Sequence, residues 1–225
     1  MMMRSLEPEL MDSPETVGPV LGEFHRDLAR VNRLLGTFPT IERFLRKDTQ
    51  PVSSVIDIGC GGGALLQYLR ARMGVDVMGI DPKPGDMAGV PVIEADATTA
   101  ALPEADVAVS SLVSHHLTPE ENIALIRNVG RSCRRFIVLD LIRHRMPLVL
   151  FTIFICPLIG KVAAVDGRQS IRRAFTPEEF ADLVRTALAG TQGTFTMDVS
   201  PLRSRQVIDI RFDTPILRKL AALNH

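Results

Sequence analysis

Three features of the chain combine residue types and spacings that can do chemistry: a glycine-rich turn, a series of aspartates at the ends of apolar runs, and a pair of adjacent histidines. Gly59, Gly61, Gly62 and Gly63 follow directly on the apolar run 55–58. Glycines let the main chain turn sharply and let a ligand approach the backbone without meeting a Cβ, and a helix that starts there offers unpaired N–H groups. A strand, such a turn and a helix start together make a nucleotide site. Asp81 lies about 20 positions on, at the end of the next apolar run, where an acid is placed to accept both hydroxyls of a ribose. Asp96 and Asp140 close two later runs. His115 and His116 have the side chain suited to acid–base work near neutral pH.

The elements that must position these residues follow from apolar periodicity. Residues 55–58 form a first strand, 64–73 the helix after the glycines, and 75–80 a second strand ending on Asp81. Residues 92–95 form a third strand ending on Asp96, 107–110 a fourth, and 136–139 a fifth ending on Asp140. Alternation of strand and helix implies a parallel, doubly wound sheet with ligands at the carboxyl ends of its strands. The connections 82–91 and 97–105 are too short for a full crossover helix, so the sheet is thinly covered there. Thr118 and Glu121, with Pro119 at the first position, make a capping box, and Thr176 with Glu179 makes another that opens a helix through Leu188. Residues 194–199 and 206–212 pair as an antiparallel hairpin.

Ahead of the first strand, Val17, Val20, Leu21, Phe24, Leu28, Val31 and Leu35 recur at helical spacing and stop at Gly36 and Pro39; residues 41–46 form a second short helix capped by Thr40. Both stand outside the strand–helix alternation and read as a lid. The expected organisation is an N-terminal helical cap over 1–50, an α/β Rossmann-like core over 51–213 with a lid insertion at about 143–175, and a tail over 214–225. The core has seven strands, five parallel plus the C-terminal hairpin.

With 225 residues there is room for one sizeable core, and no linker marks a second domain of equal size. The 26 lysines and arginines balance the 26 aspartates and glutamates, which excludes a nucleic-acid surface driven by bulk charge and favours small substrates. Cys60, Cys133 and Cys156 are odd in number and widely spaced, with no histidine at zinc spacing, so neither a disulfide framework nor a metal site is expected and a reducing cytoplasm is the expected setting. The first dozen or so residues carry acids and no continuous apolar run, unlike a signal peptide. Residues 146–160 fall short of the roughly 20 apolar residues of a bilayer span and contain Pro147 and Pro157. They read as a lid helix over an apolar acceptor, with an ordinary buried helix, or an interfacial anchor helped by Arg143, His144 and Arg145, as the alternatives.

Taken together, these motifs resemble those of the class I S-adenosylmethionine-dependent methyltransferases. The run from Val55 to Gly63 is similar to the first motif of that family, Gly79-Ile80-Asp81 to the acidic tip of its second strand, Glu94-Ala95-Asp96-Ala97 to its adenine-contacting motif, and 110–117 to the segment after its fourth strand, which often carries a histidine. The resemblance runs from about residue 53 to 212 and implies S-adenosyl-L-methionine as cofactor. A narrower one, carried by Glu9-Leu10-Met11-Asp12, Arg30-Val31-Asn32-Arg33 and the segment from Asp166 to Pro177, is to small-molecule methyltransferases that accompany type III polyketide synthases in bacterial gene clusters.

On that resemblance Asp57, Gly59, Cys60, Gly61 and Gly63 seat the cofactor, Asp81 with Pro82 takes its ribose, Asp96 with Ala97 its adenine, and Ser110, Ser111 and Leu112 border its methionine moiety. Arg33, beside Arg30 and Asn32, reaches the carboxylate if the N-terminal helix folds over it. An NAD-dependent oxidoreductase competes, but Gly59-x-Gly61-x-Gly63 replaces G-x-G-x-x-G and Asp57 stands where a dinucleotide-binding strand has an apolar residue. Blander roles stand beside these: a buried acid for Asp57, an Asx turn for Asp96, a routine strand exit for 110–112, packing at a helix entry for one histidine. Methyl transfer from a sulfonium is an in-line displacement accelerated chiefly by alignment, and a phenol or alcohol acceptor must also lose a proton, the role open to His115 or His116. Arg168, Arg172 and Arg173 either bind an acceptor anion or sit in solvent. The expected activity is methyl transfer to a small, apolar or aromatic acceptor, with oxygen favoured over nitrogen or carbon, without nucleic acid and without stable membrane insertion. A cofactor-holding module without chemistry is the remaining alternative.

Overall fold

A computed structural model of the protein describes residues 2–10, 27, 30–32, 34–85 and 89–212. Strands β1 (Ser54–Ile58), β2 (Asp76–Asp81), β3 (Val92–Glu94), β4 (Ala105–Ser111), β5 (Cys133–Leu141), β6 (Thr194–Val199) and β7 (Arg205–Arg211) form one sheet in the order β3-β2-β1-β4-β5-β7-β6. The first five run parallel, with Asp57 opposite Gly79 on β2 and Ile58 opposite Ser110 on β4. β7 enters antiparallel between β5 and β6. The chain leaves β1 towards β2 and β3 on one side and returns to β4 on the other, so a crevice opens at the carboxyl ends of β1 and β4.

Side chains alternate along each strand, and the two faces of the sheet bury separate apolar sets. Ile56, Ile58, Ala108, Phe136, Val138 and Ile208 pack with α3 (Pro119–Ser132) and α6 (Pro177–Leu188). Val55, Val77, Val107, Val109, Ile137 and Leu139 pack with α1 (Thr37–Arg46) and α2 (Ala64–Met73). Each large side chain taken fully out of water contributes about 1.5–3 kcal/mol, which fixes the strand register and with it the height of every residue at the crevice. β4 and β5 are longer than their apolar runs, because pairing with buried neighbours carries the ladder past the last hydrophobic residue.

Both expected capping boxes form: Thr118 Oγ1 accepts the Glu121 N–H at 3.2 Å while Glu121 accepts the Thr118 N–H at 2.7 Å, and Thr176 with Glu179 repeats the pattern. The start of α1 differs from the expected one. Gly36, at φ 62°, precedes Thr37, so Pro39 and Thr40 lie inside the first turn instead of stopping one helix and capping another. A proline is tolerated there because first-turn N–H groups have no helical partner, and the Thr40 hydroxyl donates to the Gly36 carbonyl at 2.8 Å. Most of the expected helix up to Leu35, Arg33 within it, and the tail 214–225 lie outside the described residues.

Two segments cover the crevice. The expected single lid helix is broken into α4 (Arg145–Leu150), a π-helical turn (Phe151–Ile155) and a 3-10 turn (Cys156–Leu158) before α5 (Lys161–Arg173). Gly167 of α5 faces Phe151: a Cβ there would stand 2.3 Å from the ring, so the glycine is what lets the lid lie against α5. No helix among the described residues is long and apolar enough to cross a membrane. Residues 2–10 form a strap across α5; the Ser5 N–H donates to the Arg172 carbonyl, Gln169 to the Glu7 carbonyl and Arg143 to the Met2 carbonyl.

Candidate active site

At the crevice lies a cavity of about 360 Å³, walled on one side by Asp81, Pro82, Asp96 and Ala97 and on the other by Gly59, Leu112 and His116. The turn that forms its floor needs glycine at Gly59, whose φ is 72° and whose absent Cβ would stand 2.4 Å from Val113 Cγ2. Asp81 fixes turn and strand tip together, Oδ2 accepting the Gly61 N–H and Oδ1 the Lys83 N–H, both at 2.8 Å. Each oxygen keeps a second lone pair for a hydroxyl donor. Asp96 makes the Asx turn, Oδ1 accepting from the N–H and the hydroxyl of Thr98 at 2.8 and 2.7 Å, while still lining the cavity.

Asp57 and Ser110 lie beneath, on adjacent strands, both fully buried, and Asp57 Oδ1 and Ser110 Oγ have no hydrogen-bond partner among the described residues. Burial, and then the negative charge of Asp81, push the Asp57 carboxyl well above its ordinary range. Buried polar atoms are normally satisfied, but the register that sets Ile58 opposite Ser110 and Asp57 opposite Val109 turns these two side chains to opposite faces of the sheet, and neither lines a cavity, so they do not form one polar pocket. Cys60 stands apart as well: its thiol packs over Gly79 and beside Leu66 in the core, where burial holds it up at about 12. Only its carbonyl serves the turn, accepting the Gly63 N–H at 2.8 Å.

A second cavity, of about 240 Å³, adjoins the first and shares Gly59, Leu112 and His116 with it. Leu112 sits at this junction with φ 61°, a left-handed backbone that is unusual and strained for leucine, held by donation of its N–H to the Leu139 carbonyl at 2.9 Å. Most of the wall is apolar, with Leu35, Leu141, Phe151 and Ile171 prominent, and Ser111 opens here. Polar groups gather on one side: Glu9, His115, His116, Asp166 and Ser170.

His115 is buried, and Asp140 holds it twice, accepting its backbone N–H at 2.8 Å and facing Nδ1 at 2.6 Å. A carboxylate only accepts, so Nδ1 carries the proton and Nε2 presents its lone pair. That nitrogen faces Glu9 Oε1 at 3.7 Å, and His116 Nε2 faces Glu9 Oε2 at 3.9 Å. The Ser170 hydroxyl donates to Glu9 at 2.9 Å, and Asp166 accepts the Leu10 N–H at 2.8 Å, locking the strap to α5.

The arginines are not placed as anion ligands. Arg173 is buried and donates to the carbonyls of His115 and His116, positioning the histidine turn, while Arg168 and Arg172 line neither cavity. Arg30 donates to the Leu158 carbonyl at 3.0 Å, tying the segment just before α1 to the lid, and Asn32 lines the second cavity. Glu9, Asp166 and Ser170 escape a reading of sequence because nothing local links them to the histidines. Asp140 was visible only as a strand tip.

Residues 56–136 match the family model described as a methyltransferase domain. In fold, the chain superposes on the plantazolicin methyltransferase BpumL in complex with SAH with a TM-score of 0.70 at 15% identity, over 88% of this chain and 92% of that one. Human N-acetylserotonin methyltransferase in complex with SAM gives a TM-score of 0.52 at 17% identity, over 72% of this chain and 48% of that one. A stretch of 33 residues is 58% identical to the ubiquinone biosynthesis O-methyltransferase of Azorhizobium caulinodans; the match spans 15% of this chain and 13% of that enzyme. Residues 56–136 thus match a methyltransferase domain, and the strand order with its crevice is a fold shared with the methyltransferases named above.

Proposed function

We propose that the protein transfers a methyl group from S-adenosyl-L-methionine to a hydroxyl oxygen of a small, largely apolar acceptor of phenolic or polyketide-like character. The observation that carries this reading is the meeting of two cavities at Gly59, Leu112 and His116, one edged by aspartates and the other apolar with a single polar wall. The solved relatives named above hold SAH or SAM, and the short curated match is to an O-methyltransferase, which supports the same donor and an oxygen nucleophile.

On this reading Asp81 takes the ribose hydroxyls, Asp96 and Ala97 border the adenine, and Ser111 and Leu112 border the methionine end. The cofactor supplies an electrophilic methyl on a sulfonium. Gly59 and Leu112 frame the junction, and alignment of an acceptor oxygen there is worth up to about 7–11 kcal/mol of barrier in well-oriented systems. The apolar wall takes the body of the acceptor. The polar wall of Glu9, His115 and His116 draws its hydroxyl to the junction.

Calorimetry with S-adenosylhomocysteine and with NAD, followed by turnover on a panel of phenols, tests the proposal. S-adenosylhomocysteine binding with NAD excluded and methyl ether formation is the expected result. Tight cofactor binding with no turnover on any oxygen acceptor would favour the non-catalytic module instead.

A further inference from the structure

We propose that Glu9, His115 and His116 form a binding site for one divalent first-row transition cation in the wall of the acceptor cavity, and that the preferred acceptors chelate this cation through two neighbouring oxygens. The second half rests on the methyltransferase reading; the first does not. One ligand atom from each residue lies within 4.8 Å of the others. Around an ion with bonds of about 2.0–2.2 Å, ligand atoms stand roughly 3–3.5 Å apart; His115 Nε2 lies 3.7 Å from Glu9 Oε1 and His116 Nε2 3.9 Å from Oε2, so rotation of the side chains closes the three donors on one ion. His116, a third exposed, has room for it.

The surroundings are those of a metal centre. A ligating histidine characteristically gives its other ring N–H to a carboxylate, which fixes the tautomer and aims the lone pair. Asp140 does this for His115 at 2.6 Å, and the Ser170 hydroxyl orients Glu9 at 2.9 Å. Two imidazoles and one carboxylate suit Zn²⁺, Fe²⁺ or Co²⁺ over Mg²⁺ or Ca²⁺. All three donors line the second cavity, so a group bound there can fill the remaining coordination positions. The spacing of histidines and cysteines in the sequence suggests no metal because the third ligand arrives on the strap, far from the histidines along the chain.

Such an ion acidifies a bound hydroxyl without a histidine base. The acceptor O–H gives its proton to solvent, the oxygen attacks the methyl carbon, and the C–S bond breaks with its electron pair remaining on sulfur, leaving neutral S-adenosylhomocysteine. A catechol, or a hydroxyl beside a carbonyl, presents the two oxygens required.

The test uses the full chain without an affinity tag, stripped with a chelator. Zn²⁺ is titrated by calorimetry and Co²⁺ by its visible absorption, with melting temperature and S-adenosylhomocysteine affinity measured on every variant. One equivalent of each ion is expected, weakened at least about tenfold by Glu9→Gln and separately by His116→Gln, and about 10- to 100-fold by Asp140→Asn, which removes no ligand. His116→Gln leaves the strap sequence intact, so loss of ion binding there is not a displaced strap. Absence of stoichiometric binding in a chain that still binds S-adenosylhomocysteine, or binding untouched by both ligand variants, overturns the cation site. Ion binding without S-adenosylhomocysteine binding upholds it and overturns the methyltransferase reading. Catechol methylation abolished by the chelator and restored by the ion is the expected kinetic result; equal rates with and without the ion overturn the acceptor half.

Discussion

Asp140, at the end of β5, grips His115 on the turn after β4 with both carboxylate oxygens, one on the backbone N–H at 2.8 Å and one on Nδ1 at 2.6 Å. The grip sets where the ring points and which nitrogen carries the proton. Asp140→Asn keeps the volume but turns one acceptor into an N–H donor, so the amide oxygen keeps the backbone N–H while the NH2 donates to Nδ1 and shifts the ring proton to Nε2. The lone pair then leaves the cavity wall. The expected outcome is a fall of about 10²-fold or more in methyl-transfer kcat, with S-adenosylhomocysteine affinity changed by less than about threefold; a wild-type kcat would remove His115 from the mechanism.

Gly59→Ala is expected to damage fold and cofactor site together. The new Cβ would stand 2.4 Å from Val113 Cγ2 at a φ of 72°, so both side-chain packing and backbone resist it. A strained non-glycine residue costs of order 1–3 kcal/mol, read as a drop of about 2–8 °C in Tm and at least a tenfold weaker S-adenosylhomocysteine affinity. Gly62 has open space around the position of a Cβ and no left-handed φ. Gly62→Ala therefore leaves Tm close to that of the parent.

The sheet was legible because its signals are local. A strand shows as a short apolar run, a helix start as Thr-Pro-Glu-Glu, and the switch point follows from the alternation itself. Asp81 and Asp96 were legible because a strand of known length carries its end to a known edge. What was not legible depends on long-range packing. Glu9 meets His115 only because Arg143, Arg172 and Gln169 hold an irregular strap by its backbone, and an irregular segment has no period to detect. The lid looked like one helix because its run is apolar, yet Pro157 and the π-helical turn at Phe151 break it. Cys60 looked like a ligand from its place in the turn, whereas the side-chain direction, into the core over Gly79, is set by the fold.

Asp57→Asn is expected to stabilise the protein in a pH-dependent way. Burial, then Asp81, raise the folded carboxyl well above its ordinary 3.8. Between those two values the folded chain binds more protons than the unfolded one, so stability falls as pH rises through that window and is fullest below it. Asparagine carries no such dependence. Thermal melts at a series of pH values should show the variant gaining a few degrees at neutral pH, with the gain fading towards pH 4. Equal melting curves at all pH values would mean that the carboxyl meets no such penalty.

Arg4 is the anchor of the strap, and its loss should be felt in the acceptor cavity. Its guanidinium donates to the Arg173 carbonyl at 2.6 Å and the Leu117 carbonyl at 2.8 Å, and lies 3.9 Å from the centre of the Phe175 ring. Arg4→Ala leaves those carbonyls without this donor and removes the ring contact, at a cost of about 1–3 kcal/mol. The strap also carries Glu9 to the histidines, so loosening it withdraws a polar group from the cavity wall without touching the aspartates of the cofactor crevice. The expected kinetics are a higher KM for the acceptor and a lower kcat, with S-adenosylhomocysteine affinity unchanged and faster amide exchange over residues 2–10. Arg4→Lys should recover little, because a lysine ammonium lacks the planar fork that spans two carbonyls while stacking on a ring. A lower Tm with unaltered acceptor kinetics would instead make the strap a structural brace, with Glu9 a bystander in the cavity.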